Sequence, residues 1–378
     1  MTSATQASRL GSIDRLRGAV MALMLVDHIR EFFYLHLQVG DPMSVASTPP
    51  ELFFTRLTSH VCAPVFVLLT GLGAWLYGSR RSRHETAAYL AKRGLLLIVL
   101  ELTVVNFAWT FSFTPHMIYL QVIWAIGLAM LALSALLWLP RAGQVLLVAL
   151  IVFGHNALDA VHFASGEAGF IPWAILHDRS VIQLGGGIAV RTSYPVLPWI
   201  GIILFGYLLG PLYAHGTSAE TRQRRLFAMG LAALGAFVVL RLLNVYGDHA
   251  WQLGSTALAS LMSFLNITKY PPSLHFILLT LGIGLLALAG LERTQGGRRL
   301  ALVGRVPMFF YVAHIYLLHL IYLLFAAFYG SNQGVRFGFS EVWMIWAIAL
   351  PVLACLYRPC LWFGQLKQDG RQRWMSYF

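Results

Sequence analysis

The chain has 378 residues, of which 58% are hydrophobic and only 11% charged. A soluble domain carries about a quarter charged residues, so a water-soluble globule is excluded. The formal net charge of +12 comes from basic residues scattered over short segments, which build no groove for nucleic acid.

Ten apolar runs of about the length that spans a bilayer core lie near 13–36, 55–77, 87–111, 118–139, 143–162, 194–214, 226–246, 272–291, 304–328 and 340–362. Backbone groups inside a bilayer must pair within their own segment, which favours helices. The expected class is therefore all-α: a polytopic membrane helix bundle of about ten transmembrane helices, forming one integral domain over 1–378.

The charges support this count, because Lys and Arg gather in alternate connections. One side holds Arg9, Arg15 and Arg17; Arg80, Arg81, Arg83, Lys92 and Arg93; Arg141; Arg222, Arg224 and Arg225; Arg293, Arg298, Arg299 and Arg305; Arg358, Lys367, Arg371 and Arg373. The other holds Arg30, Arg56, Arg179, Arg191, Lys269 and Arg336, with Arg241 inside a span. Both termini are thus expected in the cytoplasm. The first run carries Asp27, His28, Arg30 and Glu31 at its outer end and is followed by no Ala-x-Ala-like site, so it reads as a retained helix rather than a cleaved signal. Three cysteines, Cys62, Cys355 and Cys360, are too few for a disulfide framework or zinc site and read as buried thiols.

Two outer loops are long, near 163–193 and 247–271. The first contains Gly185-Gly186-Gly187, read as a hinge. The second places Leu258, Leu261, Met262 and Leu265 at helical spacing, which predicts a short interfacial helix.

Ionisable groups within a span are costly and mark cavities or chemistry. They cluster in the outer half of the bundle: Asp27, His28 and Glu31 on the first span, His60 before Pro64 on the second, Glu101 and Asn106 on the third, and His155 and Asp159 on the fifth. Lys269, Tyr270 and His275 introduce the eighth, and His314 and His319 lie in the ninth. Each has a plainer reading. Asp27 and His28 suit a solvated helix end, His155 with Asp159 a structural tie one helical turn apart, and Glu101 a buried ion pair. Arg15 and Arg17 suit ordinary anchors. His314 and His319 are about 140° apart around a helix, so one of them at most faces a shared site. No His-Glu-x-x-His, Gly-x-Ser-x-Gly or Walker sequence occurs, so metal hydrolysis and ATP-driven transport lose support. A histidine near carboxylates suits general-base catalysis. A proton-coupled transporter or flippase for a small polar or glycan-linked substrate uses the same residue types and is the alternative.

Several motifs together resemble a known family: Ser12-Ile13-Asp14-Arg15-Leu16-Arg17-Gly18, Asp27-His28, Cys62-Ala63-Pro64-Val65-Phe66, Gln121-Val122-Ile123-Trp124-Ala125-Ile126-Gly127, Pro198-Trp199-Ile200-Gly201, Thr268-Lys269-Tyr270-Pro271-Pro272-Ser273 and Gly304-Arg305-Val306-Pro307. They are similar to a bacterial inner-membrane branch related to heparan-α-glucosaminide N-acetyltransferase, among the transmembrane acyltransferases, and the likeness covers nearly the whole chain. The resemblance implies transfer of an acyl group, acetyl foremost, from cytosolic acyl-CoA to a hydroxyl or amine of a small-molecule or glycan acceptor across the membrane, without a metal. His28 falls where the lysosomal enzyme has a catalytic-site Asn, and His36 is nearest the place of its catalytic His. The expanded luminal domain of that relative has no counterpart, so heparan sulfate is not the expected acceptor. The working assignment gives catalysis to His28 with Asp27 or Glu31. It gives the site lining to His36, His60, Glu101, Asn106, His155, Asp159, Lys269, Tyr270, His314 and His319, and the CoA phosphates to Arg15, Arg17 and Arg305. The lipid bilayer is the expected partner, with a homo-oligomer left open.

Overall fold

The computed structural model describes residues 2–34, 37, 39–294 and 296–369, with side chains from Gly11 onward. The chain divides into two compact units: Met1–Cys62, Leu253–Asn266 and Ala287–Phe378 form the first, Ala63–Gln252 and Ile267–Leu286 the second. Each of the ten apolar runs contains helix among its described residues, although the run near 118–139 opens on a strand. Six helical stretches are long and apolar enough to cross a membrane among the described residues: Pro50–Gly78, Arg141–Leu158, Ala219–Leu243, Leu274–Arg293, Pro307–Tyr329 and Trp343–Gln368. Val122–Leu136 and Leu197–Tyr213 are apolar but shorter.

In the first unit, α1 (Thr2–Phe33) is followed by α2 (Pro50–Ser59). Met21, Leu25, Ile29 and Phe33 recur every fourth residue on α1 and are all essentially inaccessible, which is the stripe a helix needs to bury one face. They belong with α13 (Arg298–Gly304), α14 (Pro307–Tyr329) and α15 (Trp343–Gln368). Gly18 and Gly304 let α1 and α13 touch backbone to backbone: a Cβ on Gly18 would lie 2.1 Å from the Leu300 carbonyl oxygen, and one on Gly304 2.0 Å from that of Asp14. The predicted short helix of the second long loop forms as α11 (Ala257–Leu265), with Met262 buried against Met43 and Phe53.

The second unit begins at Ala63, within α3 (Cys62–Gly78), which follows α2 after a break at His60 and Val61. Pro64 lies just after this break in the first turn of α3, where its missing N–H costs nothing. The next helices are α4 (Arg83–Leu100), continued by a π-helical turn at Glu101–Val105 and α5 (Asn106–Thr110), then α6 (Val122–Leu136), α7 (Arg141–Gly154) and α8 (Phe170–Leu176). After α9 (Leu197–Leu208) and α10 (Ala219–Leu243), the unit includes most of α12 (Leu274–Arg293). Helices α3 and α9 cross on Gly71 and Gly206, and α4 and α6 cross on Gly94 and Gly127. The outer faces of α7 and α10 expose Leu146, Leu150, Val239 and Leu242, as expected of helices whose apolar surface faces lipid.

The all-α expectation needs one correction. A small sheet of order β1-β3-β2 joins Met117–Leu120, Val181–Gly185 and Ile188–Thr192, with β1 parallel and β2 antiparallel to β3. Gly185, Gly186 and Gly187, at φ 87°, 61° and 77°, close the β2–β3 hairpin. They therefore make a turn that requires the left-handed region, and not a hinge.

Candidate active site

The last turns of α1 bring Asp27, His28, Arg30 and Glu31 into the first unit. Asp27 accepts from Arg30 Nε at 3.1 Å and from Arg56 of α2 at 3.0 and 2.7 Å, while Arg30 also pairs with Glu31. Both guanidinium groups are buried, so each acid neutralises charge that would otherwise be stranded. Asp27 and Glu31, expected to orient His28, are thus engaged by arginines. Asp27 and His28, adjacent on the helix, point about 100° apart, and both carboxylates bond arginines.

His28 meets His314 of α14, with Nδ1 2.6 Å from His314 Nε2 and the two rings 13° apart in plane. His314 is inaccessible, and its Nδ1 lies 2.8 Å from the Phe310 carbonyl. A carbonyl only accepts, so His314 Nδ1 carries the hydrogen. A neutral His314 then accepts through Nε2, His28 donates from Nδ1, and the basic lone pair of His28 resides on Nε2. His319, the other α14 histidine, faces the Phe32 ring at 5.4 Å. His60 is buried at the end of α2, and His36 lies outside the described residues.

The three arginines expected at CoA phosphates are held to differing degrees. Arg15 gives Nε to the Gly11 carbonyl at 3.1 Å, NH1 to those of Thr294 and Gly296 at 2.9 Å, and NH2 to that of Leu291 at 2.6 Å. It is buried and closes the carbonyl end of α12, a favourable place for a cation, which corrects its assignment to phosphate. Arg15→Lys cannot span these acceptors and is expected to cost about 1 kcal/mol in thermal unfolding in detergent. Arg17 is tied to Asp14 at 3.0 Å and to the Gly304 carbonyl at 3.1 Å. Arg305 reaches Asp14 at 3.4 Å with 47% of its side chain exposed.

The second unit holds the remaining residues. Glu101, fully buried, accepts from the Trp124 amide at 3.2 Å. Its carboxylate therefore caps the N-terminal turn of α6 from outside the helix, where unsatisfied N–H groups and a positive dipole end favour an anion. Asn106 fastens the π-helical turn to β1, donating to the Glu101 and Tyr119 carbonyls at 2.7 and 3.0 Å and accepting from the Tyr119 amide at 2.9 Å. His155 touches the carbonyls of Ile151 and Pro272, both at 2.8 Å, so its nitrogens serve a structural tie. The helix tightens to a 3-10 turn at His155–Leu158, which breaks the i, i+4 alignment, and Asp159 accepts from Asn156 at 2.8 Å and lies 3.4 Å from His177. Lys269 is buried with its Nζ 5.1 Å from the Tyr270 ring, and the Tyr270 hydroxyl lies 3.2 Å from that of Tyr194.

One pair escaped the sequence reading. Asp248 accepts from the Thr268 amide at 2.9 Å, the Thr268 hydroxyl at 2.7 Å, the Ser273 hydroxyl and His249 Nδ1 at 2.6 Å. Burial pushes the Asp248 carboxyl up, but the donors from His249, Ser273 and Thr268 outweigh it and hold the group at about 2. A depressed folded value stabilises the fold above the unfolded carboxyl range and loses that contribution as pH falls through about 2. Asp248→Asn is expected to cost about 2 kcal/mol at pH 7, read as a lower melting temperature, and the gap from the native chain should close in strong acid. The signal was a second Asp-His dipeptide in the chain.

Residues 9–250 match the family model described as heparan-alpha-glucosaminide N-acetyltransferase, catalytic. No curated protein matches the chain.

Proposed function

We propose that this chain, which belongs to the heparan-α-glucosaminide N-acetyltransferase catalytic family, moves an acetyl group from cytosolic acetyl-CoA to a hydroxyl or amine on the opposite side of a bacterial cytoplasmic membrane. Membership in a family of membrane acetyltransferases supports the reaction class and gives the carrier reading no help. The apolar helices support a multi-pass membrane protein.

The observation that carries the chemistry is the imidazole pair. His314, locked by the Phe310 carbonyl, leaves His28 with its proton on Nδ1 and its lone pair on Nε2. In the proposed step, the acceptor's O–H or N–H proton moves to His28 Nε2 as the acceptor oxygen or nitrogen attacks the thioester carbonyl. The carbon–sulfur bond then breaks, and the leaving thiolate takes the proton from His28 Nε2, which restores the neutral base. When His28 becomes positive its Nδ1–H bond to His314 becomes charge-assisted and strengthens, so the partner helps most when the charge has developed.

Purified protein in liposomes loaded with acetyl-CoA tests the reading. The expected result is release of free CoA thiol coupled to acetylation of a supplied amino sugar or polyol panel. Flux of a substrate driven by a pH gradient, with no thiol released, would overturn it.

A further inference from the structure

The turn between α3 and α4 carries a stack that no step above uses. Tyr77, in the last turn of α3, stacks on Tyr89 of α4 with ring centroids 3.9 Å apart and planes 14° apart. Arg81 lies over the same Tyr77 ring, its Cζ 3.8 Å from the centroid, and is held there by a 3.1 Å bond from NH1 to the Tyr77 carbonyl. A ring has two faces, and two groups this close to its centre must occupy opposite ones. The order is therefore Tyr89, Tyr77, Arg81. Arg81 is exposed, so the outer face of its planar guanidinium offers a further rung to a flat π-system.

The surroundings are strongly cationic. Between positions 80 and 93 there are five cations, Arg80, Arg81, Arg83, Lys92 and Arg93, against one acid, Glu85. Glu85 is committed to the capping box with Ser82, taking its amide at 2.9 Å and its hydroxyl at 2.7 Å, and these bonds hold its carboxyl below the usual range. Arg93 gives NH1 to the Tyr89 hydroxyl at 3.1 Å, while its Nε is buried with no hydrogen-bond partner. An open stacking face beside several guanidinium groups suits a purine that carries phosphates. A lipid headgroup has the charge without the plane.

We propose that this turn binds the adenosine 3′,5′-bisphosphate end of coenzyme A, with adenine stacked on Arg81 and the phosphates on Arg80 and Arg83. This rests on the acetyl-CoA reading above.

Titration calorimetry of the full chain in detergent, with adenosine 3′,5′-bisphosphate and with inorganic pyrophosphate, tests it. Arg81→Ala is expected to raise Kd for the bisphosphate about tenfold, the scale of one lost base stack. Arg81→Lys, which keeps the charge but not the plane, should raise it nearly as much while leaving pyrophosphate affinity close to native. Arg81 is exposed, so both variants should keep the native melting temperature, which is checked alongside. Unchanged bisphosphate affinity in both variants overturns the site, as does a result in which they alter only the response to anionic phospholipid vesicles. Acetyl-CoA turnover measured in parallel separates the two readings. Native turnover with unchanged variant affinity sinks this site alone, whereas a native chain that binds neither CoA nor the bisphosphate sinks both.

Discussion

His28→Ala is expected to lower acetyl transfer by about 10²- to 10⁴-fold, the usual contribution of a positioned general base, with KM for acetyl-CoA little changed. Its partner should behave differently. His314→Ala removes the acceptor that fixes the His28 tautomer and is expected to cost about 10- to 100-fold, as loss of an orienting neighbour commonly does. His314→Gln retains an amide oxygen able to accept from His28 Nδ1 and should recover much of that loss. Asp27→Asn should disturb folding more than turnover per folded molecule, because Asp27 neutralises the buried Arg30 and Arg56. Steady-state kinetics on protein of verified melting temperature decide this. Full turnover by His28→Ala with an unchanged pH profile would remove the imidazole pair from the mechanism.

The helix crossing of α3 and α9 leaves no room for a methyl group. A Cβ on Gly71 would sit 1.9 Å from the Ile203 carbonyl oxygen, and one on Gly206 2.1 Å from that of Leu68. The obstacles are backbone atoms on rigid helices, so neither clash can be relieved by a rotamer change. Gly71→Ala and Gly206→Ala are each expected to cost about 3 kcal/mol or more, the upper end of overpacking, seen as a lower melting temperature or loss of monodisperse protein. Gly73, two residues along the same helix, has open space for 4 Å around the point a methyl group would occupy. Gly73→Ala is therefore the control and should be neutral or slightly stabilising. Indistinguishable melting of all three variants would contradict the close crossing.

The helices were legible because a bilayer-length apolar run is long and the backbone within it has no other way to pair. The sheet was not, because its strands are four or five residues long and the first of them opens what reads as one span at 118–139. His28 and His314 were both singled out, yet their pairing joins positions 286 apart, which periodicity does not reveal. The two Asp-His dipeptides show the difference that backbone makes. On the helix, Asp27 and His28 diverge to separate partners. In the loop after α10, Asp248 and His249 turn toward each other and bond at 2.6 Å.

The π-helical turn at Glu101 makes this helix sensitive to length as well as to composition. Such a turn holds one residue more than a regular helix needs, and here the surplus falls where Glu101 reaches across to the Trp124 amide. Excising Leu102 would let the helix close regularly with the residues beyond it kept in register, because the wide turn is what absorbs the surplus; the cost would fall on the turn itself, where Glu101 meets the Trp124 amide and its carbonyl takes the Asn106 side-chain amide. A single-codon deletion at this point, though it removes only an exposed leucine, should be tolerated far less well than most substitutions on the lipid-facing side of the same helix.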